Sequence, residues 1–121
     1  MDINTQMGLI SKAALVVVSS PLEVGADQAT DILQKAEAIL ESAGIDLICA
    51  ESIDTPQKAR NIGKTLVNCD VVIAVAATWC EDYLVQDILA SVASPTPVIA
   101  WGLPGLHTGS LCGTHQLCSV L

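Results

Sequence analysis

The sequence predicts an α/β protein in which a parallel β-sheet lies between two layers of helices. Short apolar runs alternate along the chain with segments whose apolar residues recur at helical spacing. This alternation indicates βαβ crossovers and therefore a parallel sheet. Because such crossovers are right-handed, they place helices on both faces of the sheet. We therefore expect residues 1–121 to form a single doubly wound domain with three layers.

The first strand and helix come from the first third of the chain. Ala13–Val18 is a continuous apolar run, as in strands buried on both faces, and Ser19-Ser20-Pro21 ends it. Asp27 is the expected cap of the helix, and Gly44 is its expected stop. Helical spacing predicts these inward-facing residues: Ile32, Leu33, Ala36, Ile39 and Leu40.

The second strand and helix follow directly. Ile45–Ala50 is the strand, and Thr55-Pro56 has the pattern of a helix cap followed by a proline in the first turn. The helix is expected to run to about Asn68. Its predicted inward-facing residues are Ala59, Ile62, Leu66 and Val67.

The second half of the chain supplies two more strands and two more helices. Asp70–Ala77 is the most hydrophobic segment and the third strand, and a helix over Asp82–Val92 follows it. Pro97–Trp101 is the fourth strand. Gly102–Gly109 is a loop rich in glycine and proline, and the last helix begins near Ser110. The third helix is expected to turn Leu84, Val85, Ile88 and Leu89 inward.

The strand order expected for this succession is 2-1-3-4, as in flavodoxin-like folds. The last helix ends on Ser119-Val120-Leu121, without a Gly or Asn stop and without Lys or Arg in its last turn. Either the sheet closes at four strands, or the chain is a fragment to which a fifth strand belongs. The missing stop signal favours the fragment.

Composition limits the partners and the compartment. Five Lys and Arg against 13 Asp and Glu give a formal charge of −8, which disfavours nucleic acid and anionic membrane surfaces. The longest apolar runs are far shorter than the ~20 residues that span a bilayer. No basic leader precedes them, so we expect a cytoplasmic protein. Cys49 and Cys69 end apolar runs and are expected to be small core residues.

The unusual side chains gather in the last third of the chain. Both tryptophans, the only tyrosine, both histidines and three of the five cysteines lie in Thr78–Leu121. In an open parallel sheet, ligands bind beyond the carboxyl ends of the strands where the strand order reverses. Trp79 follows the third strand there, where it either stacks on a sugar or planar ring or packs on a helix. The candidate substrate-binding residues are Ser19, Trp79, His107, Cys112 and His115.

Other chemistries are less well supported by these residues. Glu81 and Asp82 point in different directions on a starting helix and fit a dipole-facing acid and a cap better than catalysts. Cys112, His115 and Cys118 fan out around one helix and do not readily close a metal site. The loop Gly102–Gly109 lacks the glycine patterns of nucleotide sites.

The strand and loop elements resemble the N-terminal domain of the L-fucose isomerase family, which is related to L-arabinose isomerases. The resembling segments are VVIAVAATWC, PVIAWG and LPGLHTGSLCGTHQLC. Trp79-Cys80 after the third strand and Ile99–Gly102 before the Gly-rich loop are the most specific parts. The first half of the chain matches in pattern only.

The resemblance implies a metal-dependent aldose–ketose isomerase. In that family later domains hold a divalent metal, commonly manganese, and move a proton through an ene-diol. The N-terminal domain contacts the sugar bound by a neighbouring subunit, and Trp79 occupies the position of its aromatic residue. His115 corresponds to a residue of the arabinose-type relatives on the helix that faces the sugar. No residue of this chain is expected to be catalytic, and the chain alone is expected to be inactive.

One departure concerns the sugar. Fucose isomerases have an arginine in the loop after the first strand, whereas Ser19–Gly25 contains none, so the sugar need not be fucose.

Two alternatives remain beside the isomerase domain. One is a stand-alone flavodoxin-like module that binds FMN or another phosphorylated ligand, and the other is a purely structural interaction domain.

Overall fold

The computed structural model describes residues 12–81, 83–92, 95–105 and 109–121. Within these ranges the chain forms four strands that alternate with four helices. The strands are β1 (Lys12–Val18), β2 (Asp46–Ile53), β3 (Val71–Ala76) and β4 (Val98–Trp101). The helices are α1 (Ala29–Ser42), α2 (Pro56–Thr65), α3 (Tyr83–Ser91) and α4 (Ser110–Val120).

The four strands form one parallel sheet in the order β2-β1-β3-β4, which confirms the predicted flavodoxin-like fold. Val16 of β1 lies between Glu51 of β2 and Ala74 of β3. The register with β2 shifts after Ala13, so that Ile48 has no opposite residue on β1. A bulge of this kind increases the twist of an edge strand.

Two hydrophobic cores lie on the two faces of the sheet. Successive side chains of β1 alternate between them, because a strand points its side chains to opposite faces in turn. Val16 packs in the core that contains side chains of α2, α3 and α4, whereas Leu15 packs in the core beneath α1. The sheet is therefore covered by three helices on one face and by α1 on the other.

The end of α1 is formed by main-chain hydrogen bonds around Gly44. This glycine adopts a left-handed φ of 82°. The Ile45 N–H donates to the Leu40 carbonyl, and the Gly44 N–H donates to the Glu41 carbonyl. This pair of bonds is the Schellman arrangement, which confirms Gly44 as the helix stop. The predicted cap was wrong. Asp27 lies in a 3-10 turn over Ala26–Gln28 that directly precedes α1, and Gln28 is the residue at the N-cap position.

The start of α2 is as predicted, but its end comes earlier. The Thr55 hydroxyl oxygen accepts a hydrogen bond from the Lys58 N–H at 3.3 Å, and Pro56 is the first helical residue. The helix ends at Thr65, since Leu66 is extended and Asn68 is left-handed. Val67 is therefore carried outward and is 67% exposed, so its predicted inward position was wrong.

Ile39 on α1 was also predicted to face inward, and that prediction was wrong, since Ile39 is 55% exposed. Its helical spacing was read correctly, but the side chain lies on the flank of α1 and not above the sheet. Ile32, Ala36 and Leu40 are buried as predicted. The sheet thus does not cover the whole apolar stripe of α1. Ile39 is left outside the covered part and borders a groove described below.

All five cysteines are free thiols. Cys49 and Cys69 are half-buried and pack against the core on the α2 side. Burial raises the pKa of the Cys49 thiol to about 11, and the Glu51 carboxylate and the Cys69 thiol act in the same direction. Cys49 thus stays protonated near neutral pH and behaves as a small apolar side chain, as predicted. Among the described residues, no helix has the length and apolar character needed to cross a bilayer.

Candidate functional site

The strand order reverses between β1 and β3, at the centre of the sheet. From β1 the chain proceeds to β2 on one side, and from β3 it proceeds to β4 on the other. The two loops that leave these strands lie side by side, because the Ala77 N–H donates to the Val18 carbonyl at 2.9 Å. This is the position at which open parallel sheets bind ligands.

A buried threonine hydroxyl joins the two loops. The Ser20 N–H donates to Thr78 Oγ1 at 3.0 Å, and that hydroxyl donates to the Trp79 carbonyl at 2.7 Å. Ser19, Ser20 and Thr78 are all buried. We call the group formed by Ser19, Ser20, Thr78 and Trp79 the switch-point crevice.

The two serines of the crevice are almost fully enclosed by the protein. Within the described part of the chain, every side-chain oxygen or nitrogen that is sealed from solvent has a hydrogen-bond partner. Ser19 and Ser20 are each 3% exposed. A serine hydroxyl can both donate and accept a hydrogen bond, so any ligand contact with this pair is made through a small opening.

Trp79 follows Thr78 directly and is 37% exposed. Two glycines allow the start of α4 to press against the main chain on which this side chain stands. A Cβ atom on Gly109 would lie 2.8 Å from Trp79 N, and one on Gly113 would lie 2.7 Å from the Thr78 carbonyl oxygen. The backbone of Thr78 and Trp79 is therefore held by β1 on one side and by α4 on the other.

The start of α4 is also tied to the loop after β4. The Leu103 N–H donates to the buried Ser110 hydroxyl oxygen at 2.9 Å. The Thr114 hydroxyl donates to the Ser110 carbonyl at 2.8 Å. The Leu103–Ser110 bond places the start of α4 at the carboxyl end of β4, and Gly109 and Gly113 bring the helix against the loop after β3, whereas the Thr114 bond lies within α4.

His115 and Cys112 lie on the outer surface of α4. The buried face of this helix carries Ser110, Gly113 and Leu117. Since each helical residue turns by about 100°, His115 lies about 200° around the axis from Gly113. Both His115 and Cys112 are exposed. The structure thus places Ser19 and Trp79 on adjoining loops and His115 and Cys112 on another surface, where a substrate contact stays a prediction.

His107 and Asp82 lie outside the described residues, as does part of the loop Gly102–Gly109. Sequence reasoning placed Ser20 and Thr78 in the two loops at the reversal point but did not count them among the candidate binding residues. A signal for Thr78 was present, because it is the first polar residue after the apolar run of the third strand. Its hydrogen bond to a residue 58 positions earlier has no sequence signal.

A second concave surface lies on the α1 face of the sheet. This α1–β4 groove has a volume of about 300 Å³. It is lined by Gln28, Asp31, Ile32, Lys35, Ala36, Ile39, Val75, Trp101, Leu103 and Pro104. The lining is largely apolar, and its main ion pair joins Lys35 and Asp31 at 2.9 Å. Trp101 belongs to this groove and not to the crevice.

No group of three or more His, Cys, Asp or Glu side chains among the described residues is arranged to hold a metal ion. On α4, Cys112, His115 and Cys118 form no such group, since they are spread around the helix and exposed. The metal that the family resemblance implies therefore has no fitting donor set in this part of the chain.

Comparison of the chain with known protein families gave no match, and comparison with characterised proteins gave no significant similarity.

Proposed function

We propose that this chain is the N-terminal, substrate-contacting and oligomer-forming domain of a cytoplasmic, metal-dependent aldose–ketose isomerase similar to the L-fucose isomerases. The observation that carries the proposal is the switch-point crevice. It sets Trp79, which is 37% exposed, beside the loop that carries the buried residues Ser19 and Ser20. An aromatic face with neutral hydroxyl groups around it is the combination that recognises a sugar ring.

The charges near the crevice agree with an uncharged ligand. The segments that join β1 to α1 and β3 to α3 contain four acidic residues, Glu23, Asp27, Glu81 and Asp82, and neither segment contains Lys or Arg. Lys58, in the first turn of α2 after the carboxyl end of β2, is paired with Asp54 at 2.7 Å. Hydroxyl groups and an indole bind a neutral polyol without the cost of leaving a charge unpaired.

The isomerisation step belongs to other parts of the proposed enzyme. A divalent metal bound there would polarise the carbonyl and hydroxyl oxygens of the sugar. The described residues supply no donor set for it, so their role is to bind and orient the sugar and to exclude water. This division of roles agrees with a crevice that contains neither a titratable group nor a nucleophile activated by a base.

Exposed apolar surface supports contacts with further polypeptide. Leu22 and Val24 are 94% and 75% exposed. They lie in the loop after β1, which also carries the crevice residues Ser19 and Ser20. Ile99 is exposed on β4, the edge strand that borders the α1–β4 groove. Leu22 and Val24 stand two residues apart in one loop, and neighbouring exposed apolar side chains of this kind are typical of surfaces that pack against a partner. We infer that neighbouring subunits and the enzyme's other domains cover them.

The main-chain donors of the loop after β1 argue against the phosphate-binding alternative. A phosphate site needs several free N–H groups that point at one place. Here the Ser19 N–H donates to the Ile53 carbonyl, the Ser20 N–H donates to Thr78, and the Glu23 N–H donates to the Ser20 carbonyl. These three donors are turned into the protein, so a flavin phosphate would find few partners in this loop.

The purely structural alternative predicts a filled crevice with a buried Trp79. The partial exposure of the indole favours ligand contact instead. A ligand that stacks on this ring would still protect it from solvent, as substrate does in an assembled active site.

Replacement of Trp79 tests the proposal. In the complete isomerase, Trp79→Ala is expected to raise KM for its aldose about tenfold, because loss of an aromatic contact of about 1.4 kcal/mol corresponds to a factor of ten. Trp79→Phe keeps a ring and should lose less. The measurement is initial-rate kinetics with a panel of free aldoses.

Trp101→Phe is the matched control, since Trp101 lies in the α1–β4 groove and not in the crevice. Its KM should equal that of the unmodified enzyme. Unchanged kinetics for Trp79→Ala would show that the crevice does not contact the sugar.

A further inference from the structure

We propose that Thr78 is a positioning residue, whose hydroxyl sets the indole of Trp79 and the Ser19–Ser20 loop at a fixed distance from each other. The proposal rests on the function proposed above, because the sugar is taken to bind between these groups. Thr78 does not itself contact the sugar. It acts through the main chain on both sides of the crevice.

The geometry around the hydroxyl carries this inference. Thr78 Oγ1 accepts from the Ser20 N–H at 3.0 Å and donates to the Trp79 carbonyl at 2.7 Å. A single oxygen thereby links the loop after β1 to the loop after β3 at the point where both strands have ended. The bond from the Ala77 N–H to the Val18 carbonyl is the last described main-chain bond between the two segments. Beyond it, the described hydrogen bond between the two loops is the one from the Ser20 N–H to Thr78 Oγ1.

The surroundings of Thr78 leave this arrangement little freedom. Its side chain is fully buried, and a Cβ on Gly113 would touch its carbonyl oxygen at 2.7 Å. The α4 backbone therefore holds Thr78 from the other side. Without the hydroxyl, the buried Ser20 N–H would lose its partner and the two loops would separate to reach water.

Thr78→Val isolates the role of the oxygen, since valine keeps the shape of threonine and removes both hydrogen bonds. Thr78→Ser keeps them. The control is Thr114→Val, because the Thr114 hydroxyl bonds only to the Ser110 carbonyl within α4. A Trp101→Phe background leaves Trp79 as the single tryptophan.

Two readouts separate this inference from the proposed function. The first is acrylamide quenching of Trp79 fluorescence in the isolated chain. Thr78→Val is expected to raise the quenching constant about twofold, whereas Thr78→Ser and Thr114→Val leave it unchanged. The second is sugar kinetics in the complete isomerase. Thr78→Val is expected to raise KM about tenfold with little change in kcat, the pattern of lost binding without lost chemistry.

A folded Thr78→Val protein with unchanged quenching would overturn the inference. If quenching rises while neither Thr78→Val nor Trp79→Ala changes KM, the positioning role stands and the sugar-binding function fails. If Thr78→Val does not fold, Thr78→Cys takes its place, because a thiol is a weaker hydrogen-bonding group of similar size. The quenching constant of Thr78→Cys should then lie between that of Thr78→Ser and that of the unfolded chain. A quenching constant equal to that of Thr78→Ser would contradict the positioning role of the Thr78 hydroxyl.

Discussion

Gly63→Ala is expected to destabilise the protein by about 2–3 kcal/mol, the upper part of the usual range for overpacking a tight contact. Gly63 lies on the buried face of α2 where this helix crosses α3. A Cβ there would overlap the Ile88 carbonyl oxygen and lie 2.6 Å from Ser91 Cβ. Because both neighbours belong to a packed helix, the two helices must move apart to admit one methyl group.

The sign of this change makes the test sharp. In an unpacked helix, alanine would stabilise by about 1 kcal/mol relative to glycine. Urea denaturation of Gly63→Ala and of the exposed neighbour Lys64→Ala measures the difference. The lysine variant should remain within about 0.5 kcal/mol of the parent protein. A more stable Gly63→Ala protein would mean that α2 and α3 do not approach as closely as described.

Gly113→Ala is expected to have a large effect on both stability and the crevice. The added methyl group would lie 2.7 Å from the Thr78 carbonyl oxygen and 3.3 Å from Trp79 Cα. The α4 helix or the Thr78–Trp79 backbone must shift to relieve this contact. We expect a loss of about 1–3 kcal/mol in the free energy of unfolding and a shift in the Trp79 emission maximum.

Cys118→Ala is the control for this variant, since Cys118 lies on the exposed face of the same helix. It should change neither the free energy of unfolding nor the emission of Trp79. Guanidinium titrations followed by fluorescence, with phenylalanine in place of Trp101, measure both quantities at once. An emission maximum that stays constant in a folded Gly113→Ala protein would separate α4 from the crevice.

The sheet and its strand order were predictable because each strand carries a continuous apolar signal. Residues 13–18 and 71–76 are buried on both faces, which only the central strands of a parallel sheet require. Once β1 and β3 are central, right-handed crossovers leave few arrangements for the two other strands. The edge strand β2 extends three residues beyond its predicted end, because its exposed Glu51 and half-buried Ser52 hide the strand pattern.

Helix boundaries were less predictable, because they depend on single backbone conformations. Gly44 was a reliable stop, since its left-handed φ suits glycine. Asn68 adopts a left-handed φ as well, but α2 had already ended at Thr65. Ile39 shows a different limit: helical spacing identifies an apolar stripe, but not how much of the stripe the sheet can cover.

The candidate site was predictable at the level of loops and not of contacts. The position of Trp79 follows from the strand order, because any residue directly after β3 lies at the reversal point. The hydrogen bonds of Thr78 depend on the distance between two loops that are far apart in sequence. The outward direction of His115 depends on which face of α4 is buried, and the small residues Ser110 and Gly113 gave no hydrophobic signal for that face.

The central claim is that a sugar binds in the switch-point crevice against Trp79. A crystal structure of the complete isomerase with its aldose tests this most directly. The sugar ring carbons should lie within about 4 Å of the indole, the usual contact distance of apolar groups, with a sugar hydroxyl bonded to Ser19 or Ser20. A sugar held in the α1–β4 groove, or one that contacts none of these crevice residues, would contradict the account.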